Sequence, residues 1–364
     1  MMEKTRNRKS GKILPKNRGG SVPPAMSIAI HTADVPEAEE RRFTFRSPVM
    51  QSIYSIAMQV AGADAPVLIF GESGTGKELF ARLLHTLSTR NAYPFVPVNC
   101  GVLHGELFVD KFFGHEAGAF TGAARLRKGA FEMAANGTLF LDEVGEIPAA
   151  NQPDFLRVLE ERCYRRMGGE RDFPFQARLV AATNRPLEQM VRSGAFRADL
   201  FYRLNVVPVT LPPLRQRKED IPLLALDMLE QFCHRYHRYT VTLPDATMEA
   251  LVHYPWPGNV RELRNLLERL VLLTQTGPIV PESLPLEIQG STGRGSGAFT
   301  PHEVASAEET DDLSLDHAVR TAEMKAIARA LGHAGGHKEK AATMLEISPR
   351  SLRYKMAEYG LGKR

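Results

Sequence analysis

GESGTGKE occupies residues 71–78 and decides the fold of this chain. The apolar run VLIF precedes it at residues 67–70, and the helix-forming stretch LFARLL follows it at residues 79–84. A strand, a glycine-rich turn, a lysine and a helix, in this order, predict a phosphate-binding loop, because backbone N–H groups of such a turn and the helix N-terminus attract an anion. The residues expected to contact the nucleotide are Gly71, Glu72, Ser73, Gly74, Thr75, Gly76, Lys77 and Glu78.

Two positions of this loop set its chemistry. Lys77 supplies a full positive charge that can reach the β- and γ-phosphates of ATP. The general pattern places Ser or Thr after the lysine to hold Mg²⁺ by its hydroxyl, whereas this chain has Glu78. The pattern by itself leaves open whether Glu78 contacts the metal through water, and a bare glycine-rich match is sometimes only a structural turn.

Composition and length exclude several classes of protein. The chain has 364 residues, 43% of them hydrophobic and 24% charged, which is an ordinary balance for a globular protein. It lacks the uninterrupted apolar run of about 18 residues that a membrane span needs. Cys100, Cys163 and Cys233 have no metal-ligand spacing and are interpreted as reduced thiols of a cytoplasmic protein.

Changes of composition divide the chain into five segments. Residues 1–43 carry little apolar periodicity, and residues 1–20 contain seven Lys or Arg and one Glu, so we expect a flexible basic tail that either helps to bind nucleic acid or only improves solubility. Residues 44–213 contain apolar runs separated widely enough for helical crossovers, which predicts a parallel sheet covered by helices. The predicted strands are residues 67–70, 95–98, 138–141, 179–182 and 206–211.

The remaining segments are helical or flexible. Residues 214–286 lack strand signals, and helices are predicted at residues 221–232, 245–254 and 259–273. Residues 287–312, rich in glycine and then acidic, are interpreted as a flexible linker. Residues 313–364 are predicted to form helices at residues 315–331 and 338–345 and a third helix from Ser348. Ser348 is the expected N-cap of that third helix, Pro349 its first residue, and Ile347 is expected to pack on Leu352.

Two adjacent carboxylates end the predicted strand at residues 138–141. Dehydrating Asp142 and Glu143 at the end of a buried strand costs free energy unless a partner compensates their charge, and a bound Mg²⁺ would compensate it. We expect Asp142 to bind the metal or its water and Glu143 to polarise the water that attacks the γ-phosphate. The alternative is an exposed turn with two solvated acids.

Polar residues also end two other predicted strands. Thr183 and Asn184 follow residues 179–182 and are expected either to respond to the γ-phosphate or to orient the attacking water, although a Thr–Asn pair at a strand end is often only part of a turn. Asn99 follows residues 95–98, and its amide is expected to hold the Glu143 carboxylate when no productive substrate is bound.

Three arginines are candidates for charge stabilisation. Arg197 and Arg203 bracket an apolar patch, and a guanidinium supplied from a neighbouring subunit would couple hydrolysis to assembly. Their alternative is an exposed position on an amphipathic helix. Arg261 opens a predicted helix and is expected to reach the nucleotide of its own subunit.

Together these motifs resemble the AAA+ ATPase domain of bacterial enhancer-binding proteins, the activators of sigma-54 RNA polymerase. The resemblance covers about residues 45–286 and includes GESGTGKE, in which Glu78 is the usual residue of that family. FRADLFYRLNV at residues 196–206, LPPLRQRKEDIP at residues 211–222 and WPGNVRELRN at residues 256–265 match further family segments. The resemblance implies a three-layer α/β ATPase domain with a helical lid, ATP and Mg²⁺ as ligands, and rings that are usually hexamers.

The resemblance also assigns roles to residues. It makes Asp142 and Glu143 the Walker B pair, with Asn99 as the partner of Glu143. It makes Thr183 and Asn184 sensor I, Arg261 sensor II, and the segment containing Arg197 and Arg203 the arginine finger.

GAFTGA at residues 118–123 is the string that bears most directly on function. Two glycines flank an aromatic residue in a predicted loop, and an exposed Phe marks a contact surface unless the loop bends back to bury it. In the family that this chain resembles, the motif forms the tip of a loop that contacts sigma-54. The resemblance assigns this contact to Gly118, Ala119, Phe120, Thr121, Gly122 and Ala123. Upstream, VDKF at residues 109–112 stands where the family reads close to ESEL.

The C-terminal helices resemble the Fis-type helix-turn-helix that ends many of these activators. The helix that begins after Ser348 would enter the major groove of DNA, with most basic contacts made to phosphate. The residues expected at DNA are Lys338, Ser348, Arg350, Ser351, Arg353 and Lys355. An ordinary helical hairpin is the alternative.

The resemblance therefore predicts a cytoplasmic transcription activator that is not bound to a membrane. Its partners would be enhancer DNA upstream of a promoter, sigma-54 RNA polymerase holoenzyme and further copies of itself. The sensory domain that most members carry is not seen, which leaves open control by a regulatory protein acting in trans, control by expression level, or no control. The rivals are a regulator or repressor of the same fold that does not act through sigma-54, and an AAA+ remodelling chaperone.

Overall fold

The computed structural model describes residues 25–30, 41–102, 105–274, 276–289, 337–345 and 348–358, together with residues 327, 330 and 334. The chain divides into two compact units, Met1–Gly293 and Arg294–Arg364. The strands of the first unit are β1 (Met26–Ile30), β2 (Arg41–Phe45), β3 (Val67–Phe70), β4 (Phe95–Asn99), β5 (Gly114–His115), β6 (Arg127–Lys128), β7 (Thr138–Asp142), β8 (Cys163–Arg165), β9 (Asp172–Pro174), β10 (Arg178–Thr183) and β11 (Val207–Thr210).

Helices connect and cover these strands. They are α1 (Pro48–Val60), α2 (Lys77–Thr86), α3 (Glu106–Phe113), α4 (Ala130–Met133), α5 (Gln152–Glu161), α6 (Leu187–Arg192), α7 (Ala198–Leu204), α8 (Ile221–Arg235), α9 (Asp245–His253), α10 (Asn259–Leu273) and α11 (Leu286–Gln289).

A five-stranded parallel sheet with the order β11-β3-β10-β7-β4 is the centre of the first unit. Its members are the five strands predicted from the sequence, so the prediction of an α/β fold is confirmed. Since all five run in one direction, their carboxyl ends meet at one edge, which is where ligands bind in such sheets.

Both faces of this sheet are buried. Successive side chains of a strand point to opposite faces, and β7 illustrates the result. Leu139 and Leu141 pack in the core cluster on one face, and Phe140 packs in the cluster on the other. A strand covered on both faces must be apolar throughout, which is why β7 reads as a continuous apolar run.

The prediction of a flexible tail over residues 1–43 is wrong for part of that segment. β1 pairs with β2 in an antiparallel two-stranded sheet, and Ile30 and Phe43 are buried against the main sheet domain. The apolar residues of β1 find partners only after the chain has folded, so the local sequence gave a weak signal. Residues 1–24 and 31–40 lie outside the described residues.

Two short antiparallel pairs were not predicted. β5 pairs with β6 and β8 pairs with β9, and their strands of two or three residues are too short to show a period of two. β5 and β6 flank residues 116–126. Because β5 directly follows α3, this pair of strands determines the position of the GAFTGA segment.

The helices predicted for the lid are found as α8, α9 and α10. They pack around Trp256, which is fully buried and whose indole Nε1 donates to the carbonyl of Leu251 at 2.7 Å. Residues 287–289, predicted as the start of a linker, instead belong to α11, because Ile288 is buried in the core of the lid. The rest of the predicted linker lies outside the described residues.

The second unit contains α12 (Lys338–Met344) and α13 (Pro349–Glu358), as predicted. Its small core is built largely from alanines with Ile327, Leu352 and Met356. Ser348 caps α13, since its Oγ accepts the backbone N–H of Ser351 at 3.1 Å. The prediction for Ile347 and most of the predicted helix at residues 315–331 lie outside the described residues.

Candidate functional site

The glycine-rich turn between β3 and α2 has the geometry of an anion-binding loop. Gly74 and Gly76 have φ of 79° and 101°, the left-handed region in which glycine is unstrained. Lys77 begins α2, and its Nζ lies 2.9 Å from the carbonyl oxygen of Gly71 and 3.5 Å from Glu143 Oε1. The ammonium group therefore stands between the turn and the carboxylates of β7.

A cavity of about 350 Å³ opens beside this turn. One group of lining residues is polar and consists of loop residues together with Lys77, Glu78, Asp142 and Glu143. The other group mixes apolar and polar side chains contributed by β2, α2 and the lid. The residues of this mixed group are Arg42, Leu79, Leu224, Asp227, Met228, Gln231, Val260 and Arg264.

Asp142 is the last residue of β7 and lies at the carboxyl edge of the sheet. Burial, and then the neighbouring charge of Glu143, raise the pKa of Asp142 above its ordinary value, while Lys77 acts in the opposite direction. The pair thus concentrates negative charge in a partly dehydrated place, which a cation would relieve.

Glu143 leaves the strand through a left-handed backbone conformation with φ of 52°. Its Oε2 accepts the backbone N–H of Asn184 at 3.1 Å, and its Oε1 faces Lys77. A non-glycine residue at positive φ carries strain that surrounding contacts must offset, and such residues cluster at functional sites.

The expected contact between Asn99 and Glu143 is not found. The Asn99 amide instead donates to Asp142 Oδ2 at 3.4 Å, and its Oδ1 accepts the N–H of Gly101 at 2.8 Å. Asn99 and Asp142 are register partners on β4 and β7, whereas the left-handed turn at Glu143 directs that carboxylate toward β10. Strand pairing, which the sequence does not reveal, decides the partner.

Thr183 and Asn184 end β10 next to these acids. Thr183 is fully buried, and its Oγ1 accepts the N–H of Arg185 at 3.0 Å. Its carbonyl accepts the N–H of Gly71 at 3.3 Å, so the strand end is bonded directly to the start of the glycine-rich turn. The structure thus places Thr183, Asn184 and Glu143 together, as the sequence predicted.

The lid contacts the outer side of the glycine-rich turn, a relationship that the sequence reasoning missed. The carboxylate of Glu72 accepts two hydrogen bonds from Arg215, at 2.5 and 2.8 Å, and a third from Asn259 at 3.2 Å. The hydrogen bonds from Arg215 are the largest of the effects that lower the pKa of Glu72 to about 2. The opposite charges of Glu72 and Arg215 are the feature of the sequence from which this contact could have been predicted.

Backbone groups of the turn are bound by the lid as well. The carbonyl of Gly74 accepts the N–H of Val260, and the carbonyl of Thr75 accepts Arg217 Nη2 at 2.7 Å. Burial lowers the pKa of Arg217 to about 10, so this guanidinium is still charged at neutral pH. The lid is therefore hydrogen-bonded to the backbone of the turn as well as to its side chains.

The three predicted arginines occupy different places. Arg261 lines the cavity, and its Nη1 lies 2.8 Å from Ser73 Oγ. Arg197 pairs with Asp199 on α7, and Arg203 donates twice to the carbonyl of Leu159. Within the part of the chain that the structure describes, neither Arg197 nor Arg203 lines the cavity of its own subunit.

The GAFTGA segment forms a tight loop between β5 and β6. The N–H of Gly118 donates to the carbonyl of Ala123 at 2.8 Å, which closes the loop, and Gly118 and Gly122 have positive φ. Phe120 is half-buried with its ring against His115, while Thr121 is exposed. The loop is thus partly bent back, as in the alternative considered for Phe120.

Comparison with known proteins matches each part of this architecture. The family described as "Sigma-54 interaction domain" matches residues 43–210, the "AAA+ ATPase lid domain" matches residues 215–298, and "Bacterial regulatory protein, Fis family" matches residues 318–359. The regulatory protein AtoC of Escherichia coli is 44% identical over 316 residues, which cover 86% of this chain and 67% of AtoC.

Relatives of different length show the same similarity. The Nif-specific regulatory protein of Klebsiella pneumoniae is 44% identical over 85% of this chain and 57% of its own length. The Nif-specific regulatory protein of Rhizobium leguminosarum bv. trifolii is 40% identical over 87% of this chain and 95% of its own length. This chain belongs to the sigma-54-dependent transcriptional activators.

Solved structures agree with this assignment. NtrX from Brucella abortus in complex with ATP superposes with a TM-score of 0.69 at 30% identity, over 89% of this chain and 70% of that one. Its complex with ADP gives the same TM-score at 31% identity. The first unit of this sigma-54-dependent activator is an AAA+ nucleotide-binding ATPase domain with a helical lid, and the C-terminal unit is a Fis-type helix-turn-helix.

The helix-turn-helix of this sigma-54-dependent activator exposes several of the predicted DNA residues. Lys338, Ser348, Ser351 and Arg353 are exposed and Lys355 is partly exposed. The side chain of Arg350 lies outside the described residues. No helix in the described part of the chain combines the length and apolar character that crossing a bilayer requires.

Proposed function

We propose that this chain activates transcription as a ring of identical subunits in the cytoplasm, where ATP hydrolysis moves the loop at residues 118–123 against sigma-54 RNA polymerase. The observation that carries the proposal is the position of that loop in the chain. It is inserted between α3, which follows β4, and α4, which precedes β7. β4 and β7 pair with each other and end at Asn99 and Asp142, which are hydrogen-bonded.

Both ends of the loop are therefore connected through short elements to the residues around the γ-phosphate. A displacement at Asp142 or Glu143 on hydrolysis reaches α3 and α4 through β4 and β7. A nucleotide shifts a conformational equilibrium only by contacts that differ between states, and the carboxylates of β7 provide such contacts.

The polar residues that line the cavity support ATP hydrolysis. The N–H groups of the glycine-rich turn and the start of α2 cradle the phosphates, and Lys77 pairs with the β- and γ-phosphates. Glu143 polarises the attacking water, while Thr183 and Asn184 respond to the γ-phosphate. The mixed group of lining residues, with Leu79, Met228 and Asp227, receives the base.

Mg²⁺ fits the donor set at this site. The carboxylates of Asp142, Glu143 and Glu78 face one cavity, and hard oxygen donors suit this cation. Among the described residues no group of three or more His, Cys, Asp or Glu side chains forms a metal site by itself, so Mg²⁺ would be shared between Asp142 and the phosphates. When bound, it neutralises charge that develops on the phosphate oxygens.

The arginines of the segment at residues 196–206 support assembly. Arg197 and Arg203 lie away from the cavity of their own subunit, so they act on ATP only if a neighbouring copy presents them. Arg261 lines the cavity of its own subunit and reports loss of the γ-phosphate to the lid. Charge stabilisation across an interface makes hydrolysis depend on ring closure.

The C-terminal helices support binding to enhancer DNA upstream of the promoter. α13 would lie in the major groove, with Arg350, Arg353 and Lys355 near bases or phosphates and Lys338 near the backbone. Two-fold pairing of this unit would match a palindromic site.

The test is transcription in vitro with purified sigma-54 holoenzyme and a supercoiled promoter. We expect promoter melting with ATP and none with a non-hydrolysable ATP analogue. Equal melting with the analogue would refute the coupling of hydrolysis to remodelling. DNA binding without any activation would instead support the rival regulator of the same fold.

A further inference from the structure

Asp110 connects the two ends of the GAFTGA loop. It lies on α3 and is 5% exposed. Its Oδ1 lies 2.5 Å from His115 Nδ1, and its Oδ2 accepts Arg127 Nη1 at 2.7 Å. His115 on β5 and Arg127 on β6 are register partners that flank the loop. One buried carboxylate thus bonds to the residue that enters the loop and to the residue that leaves it.

The same contact orients the surface on which the loop tip rests. An ionised carboxylate only accepts hydrogen bonds, so His115 Nδ1 carries the proton between them and the plane of the ring is fixed. The ring of Phe120 packs edge-on against this imidazole, with centroids 4.9 Å apart and an interplanar angle of 70°. Phe120 is half-buried there, whereas the neighbouring Thr121 is exposed.

A separate ion pair fixes the stem of the loop. Arg166, which is 9% exposed, binds Glu116 at 2.7 Å and Glu132 at 2.8 Å. The N–H of Glu116 also donates to the carbonyl of Met167 at 3.0 Å. We therefore expect the stem to stay attached to the residues that follow β8 when the contacts of Asp110 are removed, so that only the tip is released.

We propose that Asp110, His115 and Arg127 form a seat that holds Phe120 in a lowered position, and that Asp110 is its positioning residue. The loop must leave this seat before Phe120 and Thr121 can meet sigma-54, so the proposal rests on the proposed function. Asp110 stands in the VDKF segment, where the resembled family has the Ser of ESEL. A serine hydroxyl is shorter and uncharged, whereas an ionised carboxylate offers a separate charged oxygen to each of the two flanking residues.

Limited trypsin digestion of the full chain without nucleotide measures how often the loop leaves this seat. Arg125 is exposed within the loop, and cleavage after it requires the loop to open. The amide in Asp110→Asn keeps the shape of the side chain but is uncharged and has a single acceptor oxygen, so the charge-assisted bonding of Asp110 to its two partners is weakened by about one bond. We expect cleavage after Arg125 to accelerate about tenfold, the factor that follows from losing one hydrogen bond to a charged group.

Two further variants separate positioning from folding. Arg127→Gln removes the guanidinium that binds Asp110 Oδ2. Because the Arg127 side chain is 56% exposed, this variant should stay folded while cleavage after Arg125 accelerates. Lys111→Ala, an exposed neighbour of Asp110 on α3, is the matched control and should cleave at the wild-type rate. ATP hydrolysis should stay near the wild-type rate in all three variants.

The functional readout is retention of purified sigma-54 in the absence of nucleotide. Asp110→Asn and Arg127→Gln should increase this retention, because their loop tips are no longer seated. Unchanged cleavage and retention in both variants would overturn the proposal, and so would faster cleavage throughout the chain with a parallel loss of ATP hydrolysis. The digestion needs no sigma-54, so its result is independent of the proposed function. Unchanged cleavage of the variants, with a wild-type protein that still melts the promoter with ATP, would refute the seat alone. Faster cleavage of the variants, with a wild-type protein that does not melt the promoter, would refute the proposed function alone.

Discussion

The backbone N–H of Asn184 donates to Glu143 Oε2 at 3.1 Å, which bonds the residue after β10 to the residue after β7. These two strands are neighbours in the central sheet, and Asn184 directly follows Thr183, whose carbonyl bonds to Gly71. The carboxylate proposed to polarise water is thus held by a backbone group rather than by a side chain. The bond to Glu143 and the bond to the glycine-rich turn are thus made by consecutive residues.

Replacing Glu143 should separate ATP binding from turnover. We expect Glu143→Gln to bind ATP and to lower the rate of hydrolysis about 10²- to 10³-fold, because an amide polarises water poorly. Glu146→Gln removes a nearby carboxylate that pairs with Arg185 and serves as the control. Single-turnover hydrolysis and nucleotide titration measure the two properties. Near-normal hydrolysis in Glu143→Gln would remove Glu143 from this role.

Substitution at Gly74 should disrupt the contact between the turn and the lid. A Cβ at this position would lie 2.3 Å from the carbonyl oxygen of Gly258, and φ is 79°. Since the clashing atom belongs to the backbone, we expect Gly74→Ala to abolish ATP binding and to lower the free energy of unfolding by about 1–3 kcal/mol.

Gly62→Ala is the control for this substitution. No atom lies within 4 Å of a Cβ at Gly62, so this variant should bind ATP normally and be at least as stable as the wild type. Urea unfolding and nucleotide titration provide the comparison. Wild-type ATP affinity in Gly74→Ala would show that the lid contact is dispensable.

The contact between Glu72 and Arg215 should make stability depend on pH at the acid end. Arg215 leads the interactions that hold the pKa of Glu72 at about 2, against an ordinary 4.5. A depressed carboxyl pKa contributes stability that is complete above pH 4.5 and is lost as pH falls toward about 2. We therefore expect Glu72→Gln to be less stable than the wild type at pH 7, with a difference that shrinks below pH 4.5.

Urea unfolding at several pH values measures this difference. Glu160→Gln removes a carboxylate from an exposed position of α5 and is the control, for which we expect little change at any of these pH values. A stability difference for Glu72→Gln that did not change between pH 5 and pH 2 would contradict the assigned pKa.

The exposed hydroxyl at the tip of the GAFTGA loop should matter for coupling and not for hydrolysis. Thr121 is exposed and does not line the cavity. We expect Thr121→Ala to hydrolyse ATP near the wild-type rate and to fail in promoter melting, while Thr89→Ala, at an exposed site elsewhere, does both normally. Full melting by Thr121→Ala would show that the loop tip is not the coupling surface.

Mixing variants tests whether an arginine acts on the ATP of a neighbouring subunit. Arg203→Ala alone should lower hydrolysis by about 10³-fold if it acts as an arginine finger. Combined with Glu143→Gln subunits, it should regain activity, because some interfaces then contain an intact Glu143 and an intact Arg203. Arg192→Ala, at an exposed position of α6, is the control. Failure of the mixture to exceed either variant alone would place Arg203 outside the site.

Much of the fold could be predicted because its signals are local. The central strands are continuous apolar runs, since both faces of the sheet are covered, and α10 begins after the glycine of WPGNVREL. β1 was missed because its burial depends on residues far along the chain. The pairs β5–β6 and β8–β9 were missed because their strands are too short to show periodicity.

Part of the lining of the candidate site follows from the sequence, whereas its contacts follow less well. Lys77, Asp142, Glu143 and Arg261 line one cavity, as expected for residues at the carboxyl edge of a parallel sheet. The partner of Asn99 was wrong, because register pairs it with Asp142 and a left-handed residue turns Glu143 away.

The sequence by itself determined the ATPase fold, the phosphate loop and the presence of an intact GAFTGA string, because glycines, charges and apolar runs act through neighbours in the chain. Only the tertiary structure decided that the lid binds the phosphate loop through Glu72 and that Asp110 ties together the two ends of the GAFTGA loop. These contacts join residues that are far apart in sequence or lie across a loop, and the geometry that brings them within hydrogen-bond distance exists only after the sheet and its helices have packed.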